Sequence, residues 1–252
     1  MATGKTLRMA EFLLEDAELQ ALQDYANQVS IRRLGFNDHG PVHMRKVAIN
    51  ALAMADLMAK GNVKLSLEAE EIGSPEDSAT ALLLAAMLHD VGMSVGRQSH
   101  EMNSAILAAP IASRLLAAVY AESIEMQVIL RSLVLECVEG HMATQRVHSL
   151  EAGIILIADG CDMEKGRSRI PMLLGNDPRA GDIHQYSAAS IERVGIGPGE
   201  RHPIRISVEM TESVGFFQVE EVLLQKIAVS PAKGYVELEA RVVGQEPRRY
   251  LG

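Results

Sequence analysis

Over the first three quarters of the chain, apolar positions recur at helical spacing. Phe12, Leu13, Ala17, Leu19, Leu22, Tyr25 and Val29 fall on one face of a helix over about 9–34. Asn37-Asp38-His39-Gly40-Pro41 reads as a turn and a helix start, with Asp38 as N-cap and Pro41 in the first turn. That helix runs to about Ala59, where Lys60-Gly61-Asn62 stops it, and 61–74 reads as a loop. Ser74-Pro75-Glu76-Asp77 opens the next helix with a capping-box-like arrangement. Its body, Ala79 to Asp90, is apolar on nearly all sides, which predicts a central, buried helix ended by Val91-Gly92. Further helices are predicted at about 99–120, 123–142, 149–163 and 183–194, with Pro110 kinking or splitting the first. Residues 164–182, rich in Gly, Pro, Arg and Asp, read as a long loop, a feature compact domains mostly reserve for functional or disordered segments.

After Gly195-Ile196-Gly197-Pro198-Gly199, read as a linker, the periodicity changes. Ile204, Ile206, Val208 and Met210 alternate with polar residues as in a strand, Phe217 to Ile227 returns to helical spacing, and Val236, Leu238, Ala240 and Val242 alternate again. The pattern predicts a mainly α protein: a helical domain over 1–195, then a small β-α-β appendage over 200–252 for dimerisation or regulation. Two strands make a poor sheet, so the appendage is expected to pack on the helices or pair with a second copy in a homo-oligomer. The tail at 203–245 shows no recognisable site residue.

Composition supports this class. The 252 residues suit one large domain with or without an appendage; 48% are hydrophobic, only 4% aromatic, and there is no Trp against 13 Met. Such residues fill helix–helix contacts better than pleated sheets. The net charge of −9 repels phosphate backbones and argues against a nucleic-acid polymer as partner. Cys137 and Cys161 form no C-x-x-C pair, which excludes a disulfide framework and favours a reducing compartment. The N-terminal stretch lacks the apolar core of a signal peptide, and the run Ala81–Leu88 is far too short to span a membrane. The expectation is a cytoplasmic protein with no membrane partner.

Candidate chemistry concentrates in histidine. Six of the eight, His39, His43, His89, His100, His141 and His148, precede residue 149. His89-Asp90 ends the most apolar helix of the chain, where an unpaired carboxylate is expensive. A divalent cation supplies the missing partner. The imidazole and carboxylate mix suits Mn, Fe, Co, Ni or Zn, with Mg possible if waters complete the shell.

His43 on one helix, the doublet His89-Asp90-Val91-Gly92 on the next long one, and Asp159 after Ile154-Ile155-Leu156-Ile157-Ala158 resemble the HD superfamily of metal-dependent phosphohydrolases. The likeness covers roughly 30–190. It implies a helical HD-domain bundle in which His43, His89, Asp90 and Asp159 bind a first metal, with His100 and His141 as candidates for a second and Asp90 bridging the two. Asp162, one turn on, is a rival to Asp159. The implied activity is hydrolysis of a phosphate ester or nucleotide by metal-activated water, with Asp90 and His39 as catalytic residues. His39 equally suits a helix N-terminus. A small-molecule phosphate would gain from Arg97, between the doublet and His100, and from Lys165, Arg167 and Arg169, although these last three read equally well as loop cations offsetting Asp162 and Glu164. Two further readings use the same residues: a two-iron oxygenase, and a non-catalytic regulatory module binding a metal or nucleotide.

Two departures narrow the likeness. Many members continue the doublet as His-Asp-x-Gly-Lys, whereas Met93 stands at the lysine position here. The Gly-Tyr-Pro signature of cyclic-dinucleotide hydrolases is replaced by His141-Met142-Ala143-Thr144-Gln145. His148, His184 and His202 read as bystanders.

Overall fold

The computed structural model describes residues 4–165 and 183–252. The chain is mainly α, with a small C-terminal sheet. The first predicted helix is two: α1 (Gly4–Glu15) and α2 (Ala17–Gln28). Asp16 takes an extended conformation between them and caps α2 by accepting from the Leu19 amide at 2.9 Å, so a cap interrupts an otherwise continuous apolar stripe. A π turn, Val29–Arg33, follows. The N-cap of α3 (Pro41–Lys60) is Gly40, not Asp38; the Asp38 carboxylate instead accepts from the Gly40 amide at 2.8 Å and braces the turn. A short α4 (Ser66–Ala69) forms within the expected loop.

Helix α5 (Pro75–Leu88) starts with a reciprocal Ser74–Asp77 capping box and is buried at every position from Asp77 to Leu88. It lies at the centre, against α1, α3, α6 (His100–Val119), α7 (Ile124–Gly140) and α8 (Leu150–Gly160). Pro110 does not split α6. It sits on the exposed side, where water can satisfy the carbonyl it leaves unbonded. Among the described residues α6 alone is long and apolar enough to cross a membrane by length and composition, and here it packs on α7 and on the turn Val91–Ser94. Glu151, fully buried in the first turn of α8, accepts from the Ser66 and Leu67 amides and the Ser78 hydroxyl, and so ties α4 and α5 to α8.

The glycine-rich segment read as a linker is a strand. After α9 (Ile183–Ser190), β1 (Ile191–Pro198) pairs antiparallel with β2 (Ile204–Met210), from Ile191↔Met210 to Pro198↔Ile204. Val194 and Ile196 face the core while Gly195 and Gly197 occupy the other face, so the alternation is hidden by residues with no side chain. β2 pairs parallel with β3 (Val236–Val242), which pairs antiparallel with β4 (Arg248–Leu251), giving the order β1-β2-β3-β4. The crossover between β2 and β3 is α10, in which Phe216–Gln218, a π turn Val219–Leu223 and Leu224–Val229 run on as one segment. This sheet packs on the helical part through α3, and α10 lies on α8. Gly153 and Gly160, seven residues apart on α8, let the appendage close: an added Cβ would stand 2.6 Å from the Ser230 hydroxyl at one and 3.2 Å from Leu223 and Lys226 at the other. One apolar core runs from Met9 in α1 to Ala240 in β3.

Candidate metal centre

The ends of five helices, that of α5 among them, meet at one buried point. His43 stands in the first turn of α3, His89 and Asp90 follow α5, His141 follows α7, and Asp159 lies in the last turn of α8. His100 opens α6. All six are buried. Asp90 sits in the middle: Oδ2 is 3.2 Å from His43 Nε2 and 3.4 Å from His89 Nε2, while Oδ1 is 3.3 Å from His100 Nε2 and 3.4 Å from His141 Nε2. Asp159 Oδ1 lies 3.2 Å from His43 Nε2. Two triplets are compact enough to share one ion each, His43–His89–Asp159 and His89–Asp90–His141.

The outer ring nitrogens decide what these groups can do. His89 Nδ1 donates to the Ala86 carbonyl, His141 Nδ1 to Val138 and His100 Nδ1 to Arg97, each three residues earlier, at 2.8, 2.6 and 3.1 Å. At the ends of α5 and α7 these are carbonyls the helix leaves without an amide partner. His43 Nδ1 donates to Asp162 Oδ2 at 2.7 Å. These partners assign the proton to Nδ1 in all four neutral rings, so four Nε2 lone pairs converge on two carboxylates. His43 and His89 Nε2 are 3.0 Å apart, and His100 and His141 Nε2 3.2 Å. Such an acceptor cluster is repulsive unless a cation joins it, and its donor chemistry fits a divalent metal.

Electrostatics agree. Burial opposes charge on Asp90, yet the His89 and His39 rings hold its pKa well below the usual carboxylate range. Burial also opposes charge on Asp159, which is held well below that range by Lys226 and then His43. For His89 the Asp90 charge and the bonds to both carboxylates outweigh burial and raise the pKa; for His141 burial wins and lowers it. The carboxylates are therefore held anionic, as metal ligands must be, while the raised pKa of His89 means that a cation binding there displaces a proton.

Other residues singled out from sequence divide. His39 is buried next in the row, its ring edge-on to His43 with centroids 5.9 Å apart and its Nδ1 on the Asn37 carbonyl and Ser30 hydroxyl. Arg97 lies against the cluster, 3.4 Å from His100 Nε2, with its guanidinium over the Phe36 ring. Lys165 ion-pairs with Glu192 at 2.6 Å in a half-exposed position. Arg167, Arg169, the side chain of His184 and most of the expected 164–182 loop lie outside the described residues. Met93 is buried in the turn after the doublet. Asp162, two residues past the end of α8, stands behind His43 instead of rivalling Asp159: it meets Nδ1 of the ring whose Nε2 faces Asp159. Asp162→Ala is expected to weaken Mn binding about 10–100-fold by releasing that ring. Titration calorimetry checks this, and unchanged affinity would refute the orienting role.

The tail over 203–245, in which the sequence shows no recognisable site residue, brings Lys226 against the cluster. This α10 lysine is buried and donates to Asp159 Oδ2 and to the His141 carbonyl. It lies 67 residues beyond Asp159, and the only trace in sequence is the glycine pair on α8.

Comparison with known proteins agrees with this geometry. The HD domain family matches residues 42–164, a span that holds all six clustered residues. A relative described as the uncharacterized protein MJ1020 of Methanocaldococcus jannaschii is 40% identical over 235 residues, covering 93% of this chain and 88% of its own length. No solved structure matches the chain significantly. A histidine, a His-Asp doublet and a distant aspartate, drawn from separate helices to one buried point within the matched span, place this chain in the HD-domain superfamily of metal-dependent phosphohydrolases.

Proposed function

We propose that the protein hydrolyses a small phosphate ester or nucleotide with one or two divalent transition-metal ions. The observation that carries the reading is the position of Asp90, with one oxygen toward His43 and His89 and the other toward His100 and His141. A carboxylate so placed suits a bridge between two ions. His43, His89 and Asp159 would hold one ion with Asp90 Oδ2, and His100 and His141 the other with Asp90 Oδ1. Ions held there supply Lewis acidity toward a phosphoryl oxygen and a water made nucleophilic near neutral pH.

The chain's own residues do the rest. Arg97 places a planar cation beside His100, where a fork of N–H donors suits a phosphate oxygen pair. Its stacking on Phe36 limits the side-chain freedom lost on binding. His39, with Nδ1 fixed on the Asn37 carbonyl, is oriented to hold a proton for the leaving group. The burial of all six cluster residues keeps bulk water from competing.

The test is a screen of the Mn- and Co-loaded protein against phosphomonoesters, phosphodiesters and nucleoside triphosphates. Turnover of one class, abolished by chelation and restored by metal, is expected. Bound metal with no turnover of any of them counts against hydrolysis.

A further inference from the structure

We infer that Lys226, carried by α10 of the C-terminal appendage, is a positioning residue of the metal centre that restricts Asp159 to coordination through one oxygen. The inference rests on the proposed role of Asp159 as a ligand. Asp159 offers Oδ1 to the cluster, 3.2 Å from His43 Nε2 and 3.8 Å from His89 Nε2. Its Oδ2 is taken by the Lys226 ammonium. The same ammonium donates to the His141 carbonyl at 2.8 Å, so one side chain joins the end of α8 to the end of α7 and fixes the backbone of one ligand and the carboxylate of another.

The site is built to admit this lysine. Gly160, directly after Asp159, has no Cβ; one placed there would stand 3.2 Å from Lys226 Cδ and 3.2 Å from Leu223 Cδ1. The stem therefore runs over a notch in α8, and the residue is only 8% exposed. A lysine serving only to anchor α10 needs no particular acid. This one pairs with the carboxylate whose other oxygen faces two imidazoles. The appendage is thus part of the metal centre and not a separable module: without it, Asp159 Oδ2 and the His141 carbonyl both lose their donor.

The test is cobalt titration of the full-length apoprotein, read by calorimetry and by the visible d–d bands. In Lys226→Met, Asp159 is released to bind through both oxygens. Cobalt affinity is expected to rise about 10-fold, because a cation is removed from beside the metal and an oxygen ligand is added. The d–d bands are expected to weaken, because added coordination lowers their intensity. Lys226→Arg, which keeps charge and donors, is expected to keep both signals close to wild type. Wild-type affinity and spectrum in Lys226→Met would overturn the inference. If Lys226→Met proves unfolded by circular dichroism, Lys226→Gln carries the same expectation and the same refutation, being neutral and one atom shorter. Asp90→Ala, run alongside, separates the two ideas. Cobalt bound as tightly by Asp90→Ala as by wild type overturns the metal centre and this inference together. Loss in Asp90→Ala with no change at Lys226 overturns the lysine's role alone.

Discussion

Asp90→Ala protein is expected to emerge from purification without divalent metal and with turnover down by about 10³-fold or more, while its helical signal stays at the wild-type level. Each oxygen of Asp90 faces a different histidine pair, so truncation takes a ligand from both halves of the centre at once. It also leaves the converging Nε2 atoms without the central anion that balances a cation. Loss of several kcal/mol of transition-state stabilisation by metal corresponds to roughly that rate factor. The fold should survive, because Asp90 lies beyond the last turn of α5 and its side chain caps no helix. Elemental analysis, circular dichroism and turnover decide the matter together. A variant with wild-type metal content would remove Asp90 from the centre.

Gly92→Ala is expected to destabilise the protein by about 3 kcal/mol, the upper end of the range for overpacking. An added Cβ would stand 2.1 Å from the His100 carbonyl oxygen, 2.4 Å from the Ser104 amide and 2.7 Å from the Ser104 hydroxyl. Two of the three are backbone atoms, which cannot swing aside as a flexible side chain does. Either the turn Val91–Ser94 or the start of α6 must move. The Gly92 amide also donates to the Ser104 hydroxyl at 2.8 Å, a bond that the shift breaks. Because α6 opens with His100, its displacement draws His100 away from Asp90 Oδ1. Metal held by the His100–His141 half should therefore be lost first, with the His43–His89–Asp159 half retained. Urea unfolding and metal content test this; a variant as stable as wild type with its full metal complement would refute the close-packing argument.

The His-Asp-Val-Gly stretch thus has two physical jobs. The first two residues face the centre, and the glycine lets the next helix approach closely enough to bring another histidine there. Ser99, just before His100, adopts a left-handed conformation at φ 51°, a backbone state that non-glycine residues rarely hold without support from their surroundings.

Much of this was legible along the chain. A helix buried on every side shows as an apolar run with no polar face, and α5 is such a run, so His89 and Asp90 stood out as polar groups in need of a partner. Capping chemistry is local too, and Ser74 with Asp77 announced the start of α5. Two readings slipped where individual residues overrode the periodicity. Asp16 divides the first helix, and Gly195 and Gly197 conceal a strand whose partner, β2, lies beyond a turn.

Helical period, helix ends and the apolar centre follow from contacts within a few residues, and the order of amino acids suffices for them. Which polar groups converge follows from how helices cross and rotate against one another, and no local pattern carries that. Asp159 and Asp162 are chemically alike and three residues apart, yet one faces the cluster and the other supports His43 from behind. Lys226 looks in sequence like any basic residue near a helix end, but the packing of α10 over the glycine notch of α8 buries it against a candidate ligand. Short-range forces shape each element; the long-range fit between elements places its charges.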